Sequence, residues 1–576
     1  MLLDLAGRRG DRPMLRHWSD GGWRQTSWRQ FAAAVAAAAA GLRAQGIKAG
    51  DRMLLVSENR PEFLIAETAL LSLGGVVVPT YVTNTVRDDA HILRDSGARA
   101  AIVSTAALAA RVREAAGPGG LSLLVVMEPT EAELCWSALT REPGDPARLA
   151  ADVATLTPDR LACLIYTSGT SGPPKGVMLP HRSMLANQSG LEEAIARLKV
   201  DGERYLSFLP LSHSYEHTIG NYLLPSLGME VVYSRGADRL ASEFREIEPA
   251  LITAVPRLFE TLRGRIAAEL ARQPRWKQRL FARAVTLGLR KLDGPRLTLA
   301  QRAEDMVLDR LVRRQVRHRF GRRLVAMVSG GARLDPDLSG FFLSLGVPVL
   351  QGYGQTEAGP VVSVNLPWDN DRRSVGRPMP GVALRIGADG ELLVRGALVM
   401  DGYWNNPEVT AAALTREPDG TGPWLHTGDV ARIENGRIVI ADRMKDFIKL
   451  VSGEMVSPAK LESLLMAEGE IAQAVVAGEG RHHIVALIAP ANGIDPESAV
   501  RRVNAKLARP ERIRRWCIVP PLTVADGLLT STMKVRRRAV LQHHADRIDA
   551  LYGANSAGAP DPQPRRPETP APAGMA

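Results

Sequence analysis

Short apolar runs recur at residues 101–103, 121–127, 161–166, 231–233, 251–255 and 324–328, most of them separated by stretches long enough for a helix. This spacing constrains the fold more than any other feature of the chain. Runs without polar alternation suit strands covered on both faces, and helix-length spacers suit crossovers. The pattern therefore predicts an α/β fold with largely parallel sheets. An Ala-rich stretch, 28–45, predicts a helix stopped by Gly46. From Val382 the pattern changes. LRIGADGELLV and ARIENGRIVIA are paired strand patterns joined by Asp389-Gly390 and Asn435-Gly436, which predict two hairpins in a small antiparallel subdomain, 382–442. At 576 residues the chain is too long for a single core. The expected division is a large domain, 1–442, a small α+β domain, 443–552, and a Pro-, Ala- and Gly-rich tail, 553–576, expected to be disordered.

Composition narrows the class of function. Cys135, Cys163 and Cys517 are widely separated and form no metal-type or redox-type pair, which fits a reducing compartment and argues against a disulfide framework or a zinc site. The opening MLLDLAGRRGDRP lacks a sustained apolar core after a basic head, so no secretory leader is expected. The charge-free runs 68–86 and 338–356 are interrupted by Gly and Pro, so neither is expected to span a bilayer. The net charge is +11, yet only ten of the 73 basic residues are lysine. That skew looks like a coding bias and weakens any argument from charge toward nucleic acid. Where a basic residue is nearly always Arg, a Lys marks a position that needs a compact ammonium. Lys175, Lys445, Lys449 and Lys534 all fall inside the motifs that follow.

Tyr166-Thr-Ser-Gly-Thr-Ser-Gly-Pro-Pro-Lys-Gly-Val177 follows directly on an apolar run. A hydroxyl- and Gly-rich loop ending in Lys can wrap phosphates with backbone N–H groups and a point charge. It is not a Walker A loop, because Pro174 precedes Lys175 and Gly176 follows it. Gln351-Gly-Tyr-Gly-Gln-Thr-Glu-Ala-Gly359 offers a Tyr to stack on a base and a Glu for a divalent cation, although alone it also reads as a plain turn. In Trp424-Leu-His-Thr-Gly-Asp429 an acidic residue at a turn can accept both hydroxyls of a ribose. Asp442-Arg-Met-Lys-Asp-Phe-Ile-Lys449, Ser452-Gly-Glu454 and Thr530-Ser-Thr-Met-Lys-Val-Arg-Arg-Arg538 complete the set.

In this order and spacing, the motifs resemble the adenylate-forming superfamily of acyl-CoA synthetases, peptide-synthetase adenylation domains and luciferases. The resemblance runs from about residue 23 to residue 551. Similarity to the long-chain fatty acyl-CoA synthetase branch rests on Leu209-Pro-Leu-Ser-His-Ser-Tyr-Glu216, Ser329-Gly-Gly-Ala-Arg-Leu334 and the long helical stretch between them. The resemblance implies ATP-dependent activation of a long-chain fatty acid to an acyl-adenylate with release of pyrophosphate and transfer to coenzyme A, with Mg²⁺ as cofactor. The alternatives are another carboxylic acid, a carrier-protein thiol as acceptor, or a non-catalytic acyl- or nucleotide-binding relative. Thr167, Ser168, Gly169, Thr170, Ser171, Gly172 and Lys175 would hold the ATP phosphates, and Gly330, Gly331 and Tyr353 would frame the adenine. Thr356 would contact the α-phosphate, Glu357 and Thr170 would bind Mg²⁺, and Asp429 and Arg443 would hold the ribose. Lys534 would bridge carboxylate and α-phosphate, Lys445 matches the hinge of the small domain, Lys449 is a further cofactor-binding candidate, and Gly453 lies where the CoA arm would pass. His213 would stand between acyl pocket and nucleotide, although a lone His also reads as a structural one. Three positions depart from the commoner pattern: Ser171 for Thr, Gln355 for Leu or a small residue, and Ser531 for Pro.

Segment 257–323 holds nineteen Lys or Arg against six Asp or Glu, a net of +13 that exceeds the charge of the whole chain. Its apolar residues Leu280, Phe281, Val285, Leu287 and Leu289, then Val307, Leu308, Leu311 and Val312, recur at roughly helical spacing. A basic amphipathic helix pair suits peripheral contact with an anionic membrane, with Arg313, Arg314, Arg317 and Arg319 as candidate surface charges. An Arg-biased, merely solvated face fits the same pattern. No nucleic-acid motif occurs, so no nucleic-acid partner is expected. The expected location is cytoplasmic, peripheral at the inner membrane face.

Overall fold

Buried parallel strands are what the apolar runs become. In the computed structural model, which describes residues 1–167, 173–417, 422–444, 446–491, 493–530 and 535–553, the chain forms two compact units, Met1–Met444 and Lys445–Ala576. The boundary falls after Met444 rather than after residue 442, because the strand Arg437–Arg443 stays paired with Pro423–Glu434 as far as Arg443, opposite Asp429.

Among the described residues the first unit holds two large sheets, of nine and eight strands. In the larger, Arg204–Ser207, Glu230–Tyr233, Leu251–Ala254, Ala326–Ser329 and Val349–Gly354 run parallel, and Val361–Val364 adds an antiparallel strand with Arg377–Pro378 outside it. In the other, Arg52–Val56, Val76–Thr80, Ala100–Val103, Leu123–Val126 and Leu161–Thr167 run parallel, and Lys175–Pro180 returns antiparallel. Every residue of Ala100–Val103, Leu123–Val126 and Leu251–Ala254 is buried, as strands covered on both faces require. Each Val, Leu or Ile so placed contributes roughly 1.5–3 kcal/mol.

The Ala-rich helix spans Trp28–Ala44. Ser27 caps it reciprocally with Gln30, and Gly46 at φ 84° turns the chain away. The charge-free run 338–356 divides into the helix Pro336–Ser344 and the strand Val349–Gly354. Among the described residues no helix is long and apolar enough to cross a membrane.

The antiparallel subdomain comprises Ala383–Ile386, Glu391–Arg395, Leu414–Arg416, Pro423–Glu434 and Arg437–Arg443. Asn435 and Gly436 both take positive φ, 51° and 75°, the two-residue turn that matches strand twist. The other hairpin is wider, closed by Gly387 donating to the Glu391 carbonyl, with Gly390 alone of its pair at positive φ.

The basic segment is a run of helices rather than a pair: Pro256–Ala271, Arg275–Asp293 and Leu299–Leu308, then a π-turn, Asp309–Arg313, and Arg314–His318. Pro274 and Gly294-Pro295 break it. Leu287, Leu308, Val312 and Val316 enter a core with Phe259 and Phe342, whereas Val307 and Leu311 face solvent. Arg313 is not a surface charge: it is buried, donates to the carbonyls of Ser344 and Ala284 at 2.8 Å each, and pairs with Asp305. Arg317 is tied to Asp309 and Arg319 to Glu269, so of the four candidate charges Arg314 alone makes no ion pair among the described residues.

The second unit is a three-stranded sheet, Ile471–Ala477, Ile484–Pro490 and Ile513–Ile518, packed with the helices Pro458–Met466 and Glu497–Ala505. The expected tail lies, apart from Gly553, outside the described residues.

Candidate functional site

Parallel strands leave their loops at one edge, where ligands of α/β sheets sit. The strand Val349–Gly354 runs into a 3₁₀ turn, Thr356–Ala358, and so delivers Tyr353, Thr356 and Glu357 together. The Tyr353 hydroxyl donates to Asp429 Oδ2 at 2.5 Å, and Arg443 Nε lies 3.4 Å from Asp429 Oδ1. The hairpin register makes this geometry, since Asp429 and Arg443 are directly paired across the two strands. Burial pushes the Asp429 carboxyl up, and Arg443 and the Tyr353 hydroxyl pull it back. Burial and the Asp429 charge push the Tyr353 phenol well above its ordinary range, so it stays a donor. An ionised carboxylate has about four acceptor sites, so Asp429 retains capacity for two hydroxyls.

Lys175 begins its strand directly opposite Thr167. Its ammonium stands 5.1 Å from the ring centre of Tyr403, and the hydroxyl of the same Tyr403 donates to Glu357 Oε1 at 2.9 Å. One aromatic side chain therefore joins the first motif to the second. It gets there because the short strand Gly402–Tyr403 pairs with Val177 and Met178, just past Lys175. Among the described residues Glu357 Oε2 makes no hydrogen bond, which fits a carboxylate that takes a cation together with phosphate oxygens. Gln355 Nε2 is buried and donates to nothing among the described residues, a donor that a bound nucleotide could satisfy. The residues present thus fit ATP and Mg²⁺.

His213 acts locally as a cap, its Nδ1 accepting from the Tyr215 backbone N–H at 3.2 Å at the start of the helix Ser214–Thr218. That short helix is pinned to the site at three places. Ser214 Oγ and Thr356 Oγ1 share a hydrogen bond of 2.9 Å. The Tyr215 ring packs where a Cβ on Gly330 would come within 2.9 Å, and its hydroxyl donates to the Val328 carbonyl. Glu216, fully buried, accepts from Tyr205 at 2.7 Å, Ser207 at 2.5 Å and Thr253 at 2.6 Å. Burial pushes the Glu216 carboxyl up to about 7, against the pull of those hydroxyls. Gly331, exposed and at φ 78°, supplies the turn beyond Gly330.

In the second unit Lys449 ends the strand Ile448–Lys449, which pairs with Met455–Val456, and Gly453 at φ 89° closes the turn between them. Its backbone N–H donates to the Leu450 carbonyl at 2.9 Å. Ser168, Gly169, Thr170, Ser171, Gly172, Lys445 and Lys534 lie outside the described residues. Tyr403, Ser214 and Tyr215 belong to the site and were not singled out by sequence. The last two stand beside His213 inside a motif already recognised, whereas Tyr403 had only an aromatic pair after Gly402 as its signal.

The family model for AMP-binding enzymes matches residues 4–404, and that for the AMP-binding enzyme C-terminal domain matches residues 445–556. A Mycobacterium bovis protein named long-chain-fatty-acid–CoA ligase FadD15 is 34% identical over 545 residues, covering 88% of each chain. An Arabidopsis thaliana protein named long-chain-fatty-acid–[acyl-carrier-protein] ligase AEE15, chloroplastic, is 27% identical, covering 88% of this chain and 80% of that one. The fold is shared with the adenylation domain of a carboxylate reductase from Mycobacterium chelonae, with a TM-score of 0.74 and 24% identity over 96% of this chain and 90% of that one.

Proposed function

The chain belongs to the AMP-binding enzyme family, and from that premise we propose that it activates a long-chain fatty acid with ATP and passes the acyl group to coenzyme A. The observation that carries this reading is the convergence, from strands of three sheets, of Lys175, Tyr403 and Glu357 with Tyr353, Asp429 and Arg443. One group is suited to phosphates and their counter-ion, the other to a ribose.

A free carboxylate is a poor acyl donor, because its leaving group would be oxide. In the first step its oxygen attacks the α-phosphorus of ATP, a P–O bond forms, and pyrophosphate leaves. The barrier is electrostatic, an anion approaching a polyanion, so positioned charge does the catalysis. Mg²⁺, held by Glu357 and Thr170, supplies neutralisation of the phosphates when bound. Lys175 and the loop Ser168–Gly172 hold the β- and γ-phosphates, Thr356 meets the α-phosphate, and Lys534 takes the carboxylate. Gly330, Gly331 and Tyr353 border the adenine, and Asp429 accepts the ribose hydroxyls. In the second step the thiol sulfur of CoA attacks the acyl carbon and AMP leaves. That step needs different neighbours, which the second unit supplies by turning about Lys445 to bring Gly453 to the CoA arm. His213, its ring fixed by the helix it caps, stands between acyl chain and nucleotide.

The long-chain preference is supported by the relative FadD15. The carrier-protein ligase among the relatives names the competing acceptor. A long-chain acid partitions into bilayers, so the reading also places the enzyme in the cytoplasm, peripheral at the inner membrane face. The test is to supply acids of graded chain length with ATP and either CoA or acyl-carrier protein, and to identify the thioester by mass. Long-chain acyl-CoA is expected; acylated carrier protein alone, or turnover confined to aryl acids, would overturn the assignment.

A further inference from the structure

The helix Leu299–Leu308 and the turn after it leave one stripe uncovered. Leu299, Ala303, Met306, Val307, Arg310, Leu311 and Arg314 recur at helical spacing along it, and Leu308, Val312 and Val316 on the opposite face are buried. The exposure is large for apolar side chains: 82% at Leu299, 70% at Met306, 54% at Val307 and 51% at Leu311. Such a row does not belong to a solvated face.

The charge around the stripe is equally one-sided. Each of the six carboxylates in segment 257–323 is already engaged: Glu260 with Arg257, Glu269 with Arg319, Asp293 with Arg372, Glu304 with Arg283, Asp305 with Arg313 and Asp309 with Arg317. Arg302, Arg310 and Arg314, on or beside the stripe, have no ion-pair partner among the described residues. Three unpaired cations thus lie along the exposed apolar row, and no carboxylate of the segment is left free to offset them.

We propose that this stripe docks on an anionic bilayer, with Leu299, Met306, Val307 and Leu311 entering between headgroups and Arg302, Arg310 and Arg314 meeting lipid phosphates. Apolar area and cationic charge on one helix face are the two attractions an interfacial helix uses. A second copy of this chain fits less well, because it would set unpaired arginines against unpaired arginines. The inference rests on the reading of the substrate as a long-chain acid, which such a surface would collect from the membrane.

The test is flotation with vesicles of phosphatidylcholine, alone or mixed with phosphatidylglycerol, at low and high salt. The parent should bind the mixed vesicles and not the neutral ones, and should release as salt rises. Two exposed triple variants separate the attractions: Leu299→Asp/Met306→Asp/Leu311→Asp, and Arg302→Gln/Arg310→Gln/Arg314→Gln. Each should lower partitioning by about tenfold or more, with pyrophosphate exchange on a soluble medium-chain acid unchanged. Equal binding of parent and either triple variant, or binding blind to lipid charge, would overturn the proposal. So would a parent that sizes as a dimer and an Asp variant that sizes as a monomer, since the stripe would then be a self-interface. Exchange with no acid, beside lipid binding as described, would instead refute the substrate reading and leave the surface standing.

Discussion

Among single residues, two buried carboxyls set the pH behaviour. In the proposed site Asp429 must be ionised to accept two ribose hydroxyls, and burial raises its pKa, so nucleotide affinity should fall as pH drops through that raised value. The Tyr353 hydroxyl lowers it. Tyr353→Phe should therefore weaken ATP binding by about 1.5–3 kcal/mol and move the acid limb of the pH–KM(ATP) profile upward. A limb that stays in place would show that Asp429 is not the ribose acceptor. Glu216 bears on stability rather than binding. Its carboxyl titrates near 7 in the fold against an ordinary 4.5, so the protonated form is the one the fold favours. Its contribution is fully present below about 4.5 and is lost as pH rises through about 7, a span worth roughly 3 kcal/mol. Glu216→Gln should flatten the stability profile across that window in denaturant melts; profiles parallel to the parent's would place the charge elsewhere.

Among elements, the two-residue strand Gly402–Tyr403 is one of the smallest, yet it ties two motifs together. Its pairing with the strand that starts at Lys175 puts a phenol between the ammonium and Glu357. Tyr403→Phe keeps the ring under Lys175 and removes the donor to Glu357. It should lower kcat/KM for ATP by about 10- to 100-fold, the worth of a hydrogen bond to a charged group. Tyr403→Ala should cost more, because the cation–π contact of about 0.5–2 kcal/mol goes as well. An unchanged Phe variant would remove Tyr403 from the site. The same element shows where a sequence stops being legible. The buried runs 101–103 and 251–255 declare themselves as strands because covered faces admit no polar alternation. A two-residue edge such as Gly402–Tyr403 has no period to detect. The basic segment misled for a related reason: spacing separates the faces of a helix but does not say which face meets the core, so Arg313 read as surface and is buried. Motif residues in the chain were legible because their chemistry is local. The residues that pin them, Ser214, Tyr215 and Tyr403, act across the sheet and show only in three dimensions.

For the whole molecule, the proposed mechanism assigns two half-reactions to one site on the first unit, completed in turn by parts of the second. In that proposal Lys534 serves the first half-reaction alone. Lys534→Ala should therefore slow adenylation by about 10²–10³, the effect of removing one preorganised charge-stabilising donor, yet spare thioester formation from supplied acyl-adenylate. Equal loss in both halves would contradict the division of labour. Acid activation itself is best probed by ATP–pyrophosphate exchange, measured without CoA across acids of graded chain length. Exchange should depend on the carboxylic acid and be strongest with long chains, and AMP release should become fast once CoA is added. Absence of exchange with every acid, in a protein that still binds ATP, would contradict the mechanism.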